Sequence, residues 1–124
     1  MKILITTLNA KYIHTNPAVR ILYQLTAHYE NVSWKEFTIK ENHASIADSC
    51  REFEVIAFSC YIWNITQTIE LAHWLKKQNP KQLILLGGPE ATYGYQQYIQ
   101  HPCIDYIIHG EGEIPFIQFV ESGP

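Results

Sequence analysis

Val55-Ile56-Ala57-Phe58-Ser59-Cys60, followed by Tyr61-Ile62-Trp63-Asn64 and then by Ile65, Ile69, Ala72 and Leu75, decides the fold. The first segment is apolar on both sides of a β pleat, which suits a strand covered on both faces. The last four residues recur at helical spacing. Asn64 with Gln67 three positions on reads as a capping-box variant at the helix start. Asn79-Pro80 closes the helix. A fully buried strand that feeds a helix through a short loop is half of a β-α-β unit.

The same alternation extends in both directions. Apolar runs at Ile3 to Leu8, Leu83 to Leu86 and Ile104 to Ile108 predict further buried strands. Asn31 to Ile39 alternates Val32, Trp34, Glu36 and Thr38 against Ser33, Lys35, Phe37 and Ile39, the pattern of an edge strand with one wetter face. Asn16-Pro17 reads as an N-cap with proline at the first helical position, followed by an apolar stripe of Ala18, Ile21, Leu22 and Leu25. Weaker helices are expected over Ala44 to Glu52 and within Ala91 to Gln100, where Gly94 blurs the start. A last one begins near Glu113 or Ile114, with Pro115 tolerated in its first turn. The expectation is one α/β domain over residues 1–124, a three-layer Rossmann-like or flavodoxin-like fold with a five-stranded parallel sheet. The order 2-1-3-4-5 comes from that fold class and not from periodicity.

Composition narrows the function classes. The 124 residues are 47% apolar and 17% charged, with a formal charge of −3. That excludes a disordered chain. No basic stripe exists for a phosphate backbone, so nucleic acid is a poor partner. No apolar run approaches the ~20 residues of a membrane span. Three widely separated cysteines, Cys50, Cys60 and Cys103, do not form a disulfide framework and fit a reducing cytoplasm.

In an open parallel sheet, ligands bind beyond the carboxyl ends of the strands, at the switch point. The sequence places four loops there: Asn9 to Thr15, Ser59 to Asn64, Gly87-Gly88-Pro89-Glu90 and His109-Gly110-Glu111-Gly112-Glu113. They carry four of the six glycines. Gly87-Gly88 either lets a ligand approach the backbone or makes a simple tight turn. Gly110-Glu111-Gly112 offers N–H groups before a helix, or merely starts it with favourable dipole charges. Ser59 and Tyr61 end the central strand, where a hydroxyl can reach a ligand nitrogen or cap local backbone. Cys60 and Trp63 read first as packing residues. His14 is the one histidine in the loop after strand 1 and a weak metal ligand candidate. His109 with Glu111 or Glu113 is an acid/base pair that nothing in the sequence orients. No glycine follows strand 1 to cradle a phosphate. Asn9 and Ser59 stand where a phosphoacceptor domain needs acids, and no Gly-x-Gly-x-x-Gly opens the first helix.

Leu8 to His14, Phe58 to Asn64, Gly87-Gly88-Pro89-Glu90 and Gly110-Glu111-Gly112-Glu113 together resemble the N-terminal domain of cobalamin-binding radical SAM proteins. The resemblance covers essentially the whole chain. It implies a Rossmann-like cobalamin-binding domain whose nucleotide tail runs beside the sheet, between the loops after strands 3 and 4. Ser59 and Gly87-Gly88 would then contact and accommodate the tail. The corrin ring would lie against Asn9 to His14 and the Tyr61–Trp63 loop. The contact set it implies is Asn9, Lys11, Tyr12, Ser59, Tyr61, Trp63, Gly87, Gly88, Pro89, Gly110, Glu111 and Gly112.

Two departures bear on mechanism. The Asp-x-His-x-x-Gly motif that supplies a cobalt-ligating histidine in methionine-synthase-type domains is absent, so no protein histidine, His14 included, is expected on cobalt. Cys50, Cys60 and Cys103 cannot supply the Cys-x-x-x-Cys-x-x-Cys spacing of a radical SAM cluster. S-adenosylmethionine and a 4Fe-4S cluster are therefore expected only in a downstream domain of a longer parent chain, with no activity from these residues alone. Two other readings stand beside this one: a docking domain that keeps the fold without the cofactor, and a small enzyme built on His109 with Glu111 or Glu113.

Overall fold

A computed structural model describes residues 1–9, 17–108 and 113–123. Strands and helices alternate: β1 (Ile3–Asn9), α1 (Pro17–Thr26), β2 (Val32–Thr38), α2 (His43–Cys50), β3 (Val55–Ser59), α3 (Ile65–Gln78), β4 (Leu83–Gly87), α4 (Pro89–Tyr93), α5 (Tyr95–Tyr98), β5 (Tyr106–Ile107) and α6 (Glu113–Ser122). The five strands form one sheet in the order β2-β1-β3-β4-β5. All pairings are parallel, with Ile3 opposite both Val32 and Val55, and Ser59 opposite Gly87. The sheet is the expected one. The order places β1 and β3 at its centre and opens a crevice where the connections reverse.

Strand alternation divides the core into two layers. Leu4, Leu8, Ile56, Phe58, Ile84 and Leu86 face α2, α3, α4 and α5, where they meet Ile46, Cys50, Leu71, Leu75, Ala91 and Tyr98. Ile3, Ile5, Val55, Ala57 and Leu85 face α1 and α6 through Val19, Phe116 and Val120. Both layers are apolar because both faces of a parallel sheet are covered. Burying a side chain such as Phe58 or Phe116 contributes about 2–3 kcal/mol. Among the described residues, no helix is long and apolar enough to cross a membrane.

Three local expectations need correction. In α1 the buried line is Val19 and Thr26, with Leu22 and Tyr23 half-buried, while Ile21 and Leu25 are exposed. The helix is turned by about one residue from the stripe read off the sequence. It can be, because the Thr26 hydroxyl donates to the Leu22 carbonyl (2.7 Å) and is buried at no polar cost. Tyr23 packs on Trp34 of the edge strand, ring centroids 6.1 Å apart. Second, the helix expected within Ala91 to Gln100 is two short helices broken at Gly94. A Cβ on Gly94 would lie 2.6 Å from the Tyr98 ring, so glycine lets that ring fold back over the break. Third, β5 spans only Tyr106–Ile107 instead of Ile104 to Ile108. The Asp105 side chain takes the Ile84 N–H (2.8 Å) and an ion pair with Lys76 (2.7 Å), tying the strand's start to β4 and α3.

Candidate functional site

Ser59 ends β3 and Gly87 ends β4, side by side in register. By alternation both lie on the face of Ala57 and Leu85, under the end of the sheet where α1 and α6 begin. The two glycines of the following turn have different reasons to be glycine. Gly88 has φ 94° and ψ 178°, a region essentially closed to other residues. A Cβ there would also sit 2.8 Å from both the backbone N and O of Cys60. The turn is sewn to β3: the Cys60 N–H donates to the Gly87 carbonyl (2.8 Å), and the Glu90 N–H donates to the Cys60 carbonyl (3.2 Å). Gly88 is thus required by the fold itself.

Gly87 is not. Its φ lies outside the positive range, and among the described residues the nearest atom to an added Cβ is the Phe58 carbonyl oxygen at 4.0 Å. A glycine in a strand gives up about 0.5–1 kcal/mol of backbone entropy. Among the described residues that loss makes no turn and relieves no clash. What it leaves among them is space at the end of β4, in register with Ser59. The Ser59 hydroxyl has no hydrogen-bond partner among the described residues, although the residue is 6% exposed. It does not cap local backbone. The Ser59 carbonyl, by contrast, accepts from the Thr7 hydroxyl (2.7 Å).

The loop after β3 is anchored from below. Asn64, expected as an N-cap, makes no side-chain capping bond to α3. It is fully buried. Its Oδ1 accepts from the Tyr61 N–H (2.8 Å), and its Nδ2 donates to the Leu8 carbonyl (3.0 Å) and the Thr7 hydroxyl (3.3 Å) at the end of β1. Sequence reasoning missed this because an asparagine before a helix reads as a cap whichever way its side chain turns. Above the anchor, the Tyr61 and Trp63 rings stack, 4.4 Å apart and 10° from parallel. Trp63 is 51% exposed and Ile62 79%. Trp63 is therefore not the core packing residue its type suggested, whereas Cys60, fully buried beneath the loop, is.

Asn9 ends β1, is buried, and donates to the Glu36 carboxylate of β2 (2.8 Å). Pro89 opens α4 and is exposed. The next residue, Glu90, accepts a 2.6 Å hydrogen bond from the Tyr98 hydroxyl. Burial first, and then this bond and the carboxylate's charge, push the Tyr98 hydroxyl up to about 12. Burial likewise pushes the Cys60 thiol up, so it is not a poised nucleophile. Lys11, Tyr12, His14, His109, Gly110, Glu111 and Gly112 lie outside the described residues. The site that the structure does bring together is Asn9, Ser59, Tyr61, Trp63, Gly87, Gly88 and Pro89, along the carboxyl edge of β1, β3 and β4.

These residues suit a corrinoid. A nucleotide tail needs room against the sheet and polar atoms to meet its own, and Gly87 with the unused Ser59 hydroxyl offers both. A broad, largely apolar macrocycle needs an exposed flat surface, which Tyr61 and Trp63 supply.

Residues 3–120 match the B12 binding domain family. The cobalamin-dependent radical SAM methyltransferase TokK of Streptomyces tokunonensis is 36% identical over 78 residues, 62% of this chain and 12% of that protein. The 2-(S-pantetheinyl)-carbapenam-3-carboxylate methyltransferase of Streptantibioticus cattleyicolor is 34% identical over 79 residues, 63% of this chain and 11% of that protein. This chain thus matches only about an eighth of these relatives' length. A crystallised cobalamin-binding protein from Desulfitobacterium hafniense DCB-2 superposes with a TM-score of 0.68 at 16% identity, over 98% of this chain and 59% of that one. The RcsB response regulator of Salmonella typhimurium does so with 0.62 at 12% identity, over 99% and 63%. At such identities the two structures speak for the fold alone, and one fold serves both kinds of protein. The family match goes further: this chain belongs to the B12-binding domain family and is related to cobalamin-dependent radical SAM methyltransferases.

Proposed function

We propose that this chain is the cofactor module of a longer radical SAM enzyme. It holds cobalamin at the carboxyl edge of its sheet and presents it to a catalytic domain in the same parent chain. Ser59 and Gly87 receive the nucleotide tail, while Gly88 and Pro89 shape the turn beside it. The ring lies over the Tyr61–Trp63 stack and the loop that runs from Asn9 through Lys11 and Tyr12. Gly110, Glu111 and Gly112 complete the proposed contact set. The cofactor contributes group-transfer chemistry at cobalt; the chain's residues bind it, orient it and exclude water. S-adenosylmethionine and the iron–sulfur cluster belong to the partner domain.

The observation that carries this reading is Gly87, a glycine that the described residues do not require, in register with a buried serine whose hydroxyl has no partner among them. A docking domain without cofactor gives neither feature a purpose. The cobalamin is held base-off with no histidine of this chain on cobalt, in keeping with the missing Asp-x-His-x-x-Gly motif.

Titration with hydroxocobalamin, followed by the visible spectrum and by calorimetry, tests the proposal. Saturable binding with a base-off spectrum is expected. Ser59→Ala should weaken it about fivefold, the worth of one ordinary hydrogen bond. His14→Ala should leave the cobalt ligand state unchanged. A base-on spectrum, or a changed ligand state in His14→Ala, would overturn the base-off assignment. No saturable binding would overturn the module itself.

A further inference from the structure

We infer that Asn64 is a positioning residue for the corrin ring, acting through the Tyr61–Trp63 stack; the inference rests on the function proposed above. The stack sits on an exposed loop, its rings 4.4 Å apart and 10° from parallel. Ile62 and Trp63 are 79% and 51% exposed. The loop that carries the two rings is held from underneath. The loop turns tightly, with the N–H groups of Asn64 and Ile65 both donating to the Tyr61 carbonyl (3.1 and 2.9 Å). Asn64 then closes the turn with its side chain and nails it to the neighbouring strand.

The carboxamide is used on both sides. Oδ1 holds the Tyr61 N–H (2.8 Å), while Nδ2 faces the Leu8 carbonyl (3.0 Å), the Thr7 hydroxyl (3.3 Å) and, at the limit of bonding, the Ser59 carbonyl (3.5 Å). Thr7 in turn donates to the Ser59 carbonyl (2.7 Å). One buried amide thus connects the ends of β1 and β3 to the backbone that carries Tyr61. Neither a carboxylate nor an aliphatic side chain can both donate and accept there. A platform fixed before the ligand arrives loses little freedom on binding. Asn64 itself, fully buried, touches no ligand.

The test separates ring from tail. Cobinamide, a corrinoid without the nucleotide, reports on the platform alone. Asn64→Asp keeps the acceptor for Tyr61 and loses the donors. It should weaken cobinamide and cobalamin by the same factor, about fivefold. Placed in a Trp63→Ala chain, it should change cobinamide affinity by less than about twofold, because both substitutions remove one interaction. Thr7→Val, which keeps shape and loses the hydroxyl, should act in the same direction and guards against a misfolded Asn64 variant. In the ligand-free chain labelled with 5-fluorotryptophan, Asn64→Asp should move the Trp63 resonance and leave those of Trp34 and Trp74 in place. The inference is overturned if the Trp63 resonance stays put, if all three move together, or if the effects on cobinamide are independent in the Trp63→Ala chain. A parent chain that binds no corrinoid at all overturns the proposed function instead; the fluorine spectra then still decide whether Asn64 holds Trp63.

Discussion

At the scale of single residues, the double glycine separates two requirements that look identical in sequence. Gly88 combines a positive φ with a Cβ position already taken by Cys60 backbone. Gly88→Ala should therefore destabilise the chain by about 3 kcal/mol, from strain and clash together, as read by urea unfolding. An effect below ~1 kcal/mol would mean that the turn relaxes. Tyr98 makes a second residue-scale prediction. Its folded-state value, about 12, lies above the ordinary tyrosine value of 10.0, so the protonated hydroxyl favours the folded state. That stabilisation is fully present below pH 10 and is lost as pH rises from there through 12. Tyr98→Phe should cost about 1 kcal/mol at neutral pH. It should also shrink the loss of unfolding free energy between about pH 10 and 12. The same alkaline fall in both chains would remove the Tyr98–Glu90 bond from the account.

At the scale of elements, the strands were the legible part. Continuous apolar runs such as Val55 to Phe58 have one use in an alternating α/β pattern and located four strands, while the alternation of Asn31 to Ile39 located the edge strand β2. Helix faces were harder. The α1 sequence has enough apolar residues for two adjacent stripes, and the choice between them depends on what the edge strand presents. Tyr23 meets Trp34, and the buried Thr26 satisfies its own hydroxyl, which no periodicity can announce. Val19→Ala should consequently cost about 2 kcal/mol, while Ile21→Ser and Leu25→Ser each stay within about 0.5 kcal/mol of the parent. The reverse pattern in chemical unfolding would restore the stripe read from sequence. At the site, the chain signalled that the ends of β1, β3 and β4 share one edge, because strand order and direction determine that. It did not signal Asn64, since a cap and a buried cross-link use the same residue type at the same position, nor did it divide the work between Gly87 and Gly88.

At the scale of the whole molecule, the sheet order gathers the ends of β1, β3 and β4 into one edge, and the family match makes the chain a B12-binding domain. The matched relatives are far longer than this chain, and the response regulator's likeness shows that the scaffold alone carries no cofactor preference. The proposed function rests on local features of the described residues: room at Gly87, a hydroxyl at Ser59 and a flat aromatic surface at Tyr61 and Trp63. The most direct measurement is cobalamin affinity in Gly87→Val, compared with its urea stability. The backbone at Gly87 accepts a side chain and nothing described crowds its Cβ, so the variant should fold as well as the parent. It should nevertheless bind cobalamin at least about tenfold more weakly, because the added methyl groups fill the space proposed for the tail. Unchanged cobalamin affinity in a folded Gly87→Val chain would contradict the account.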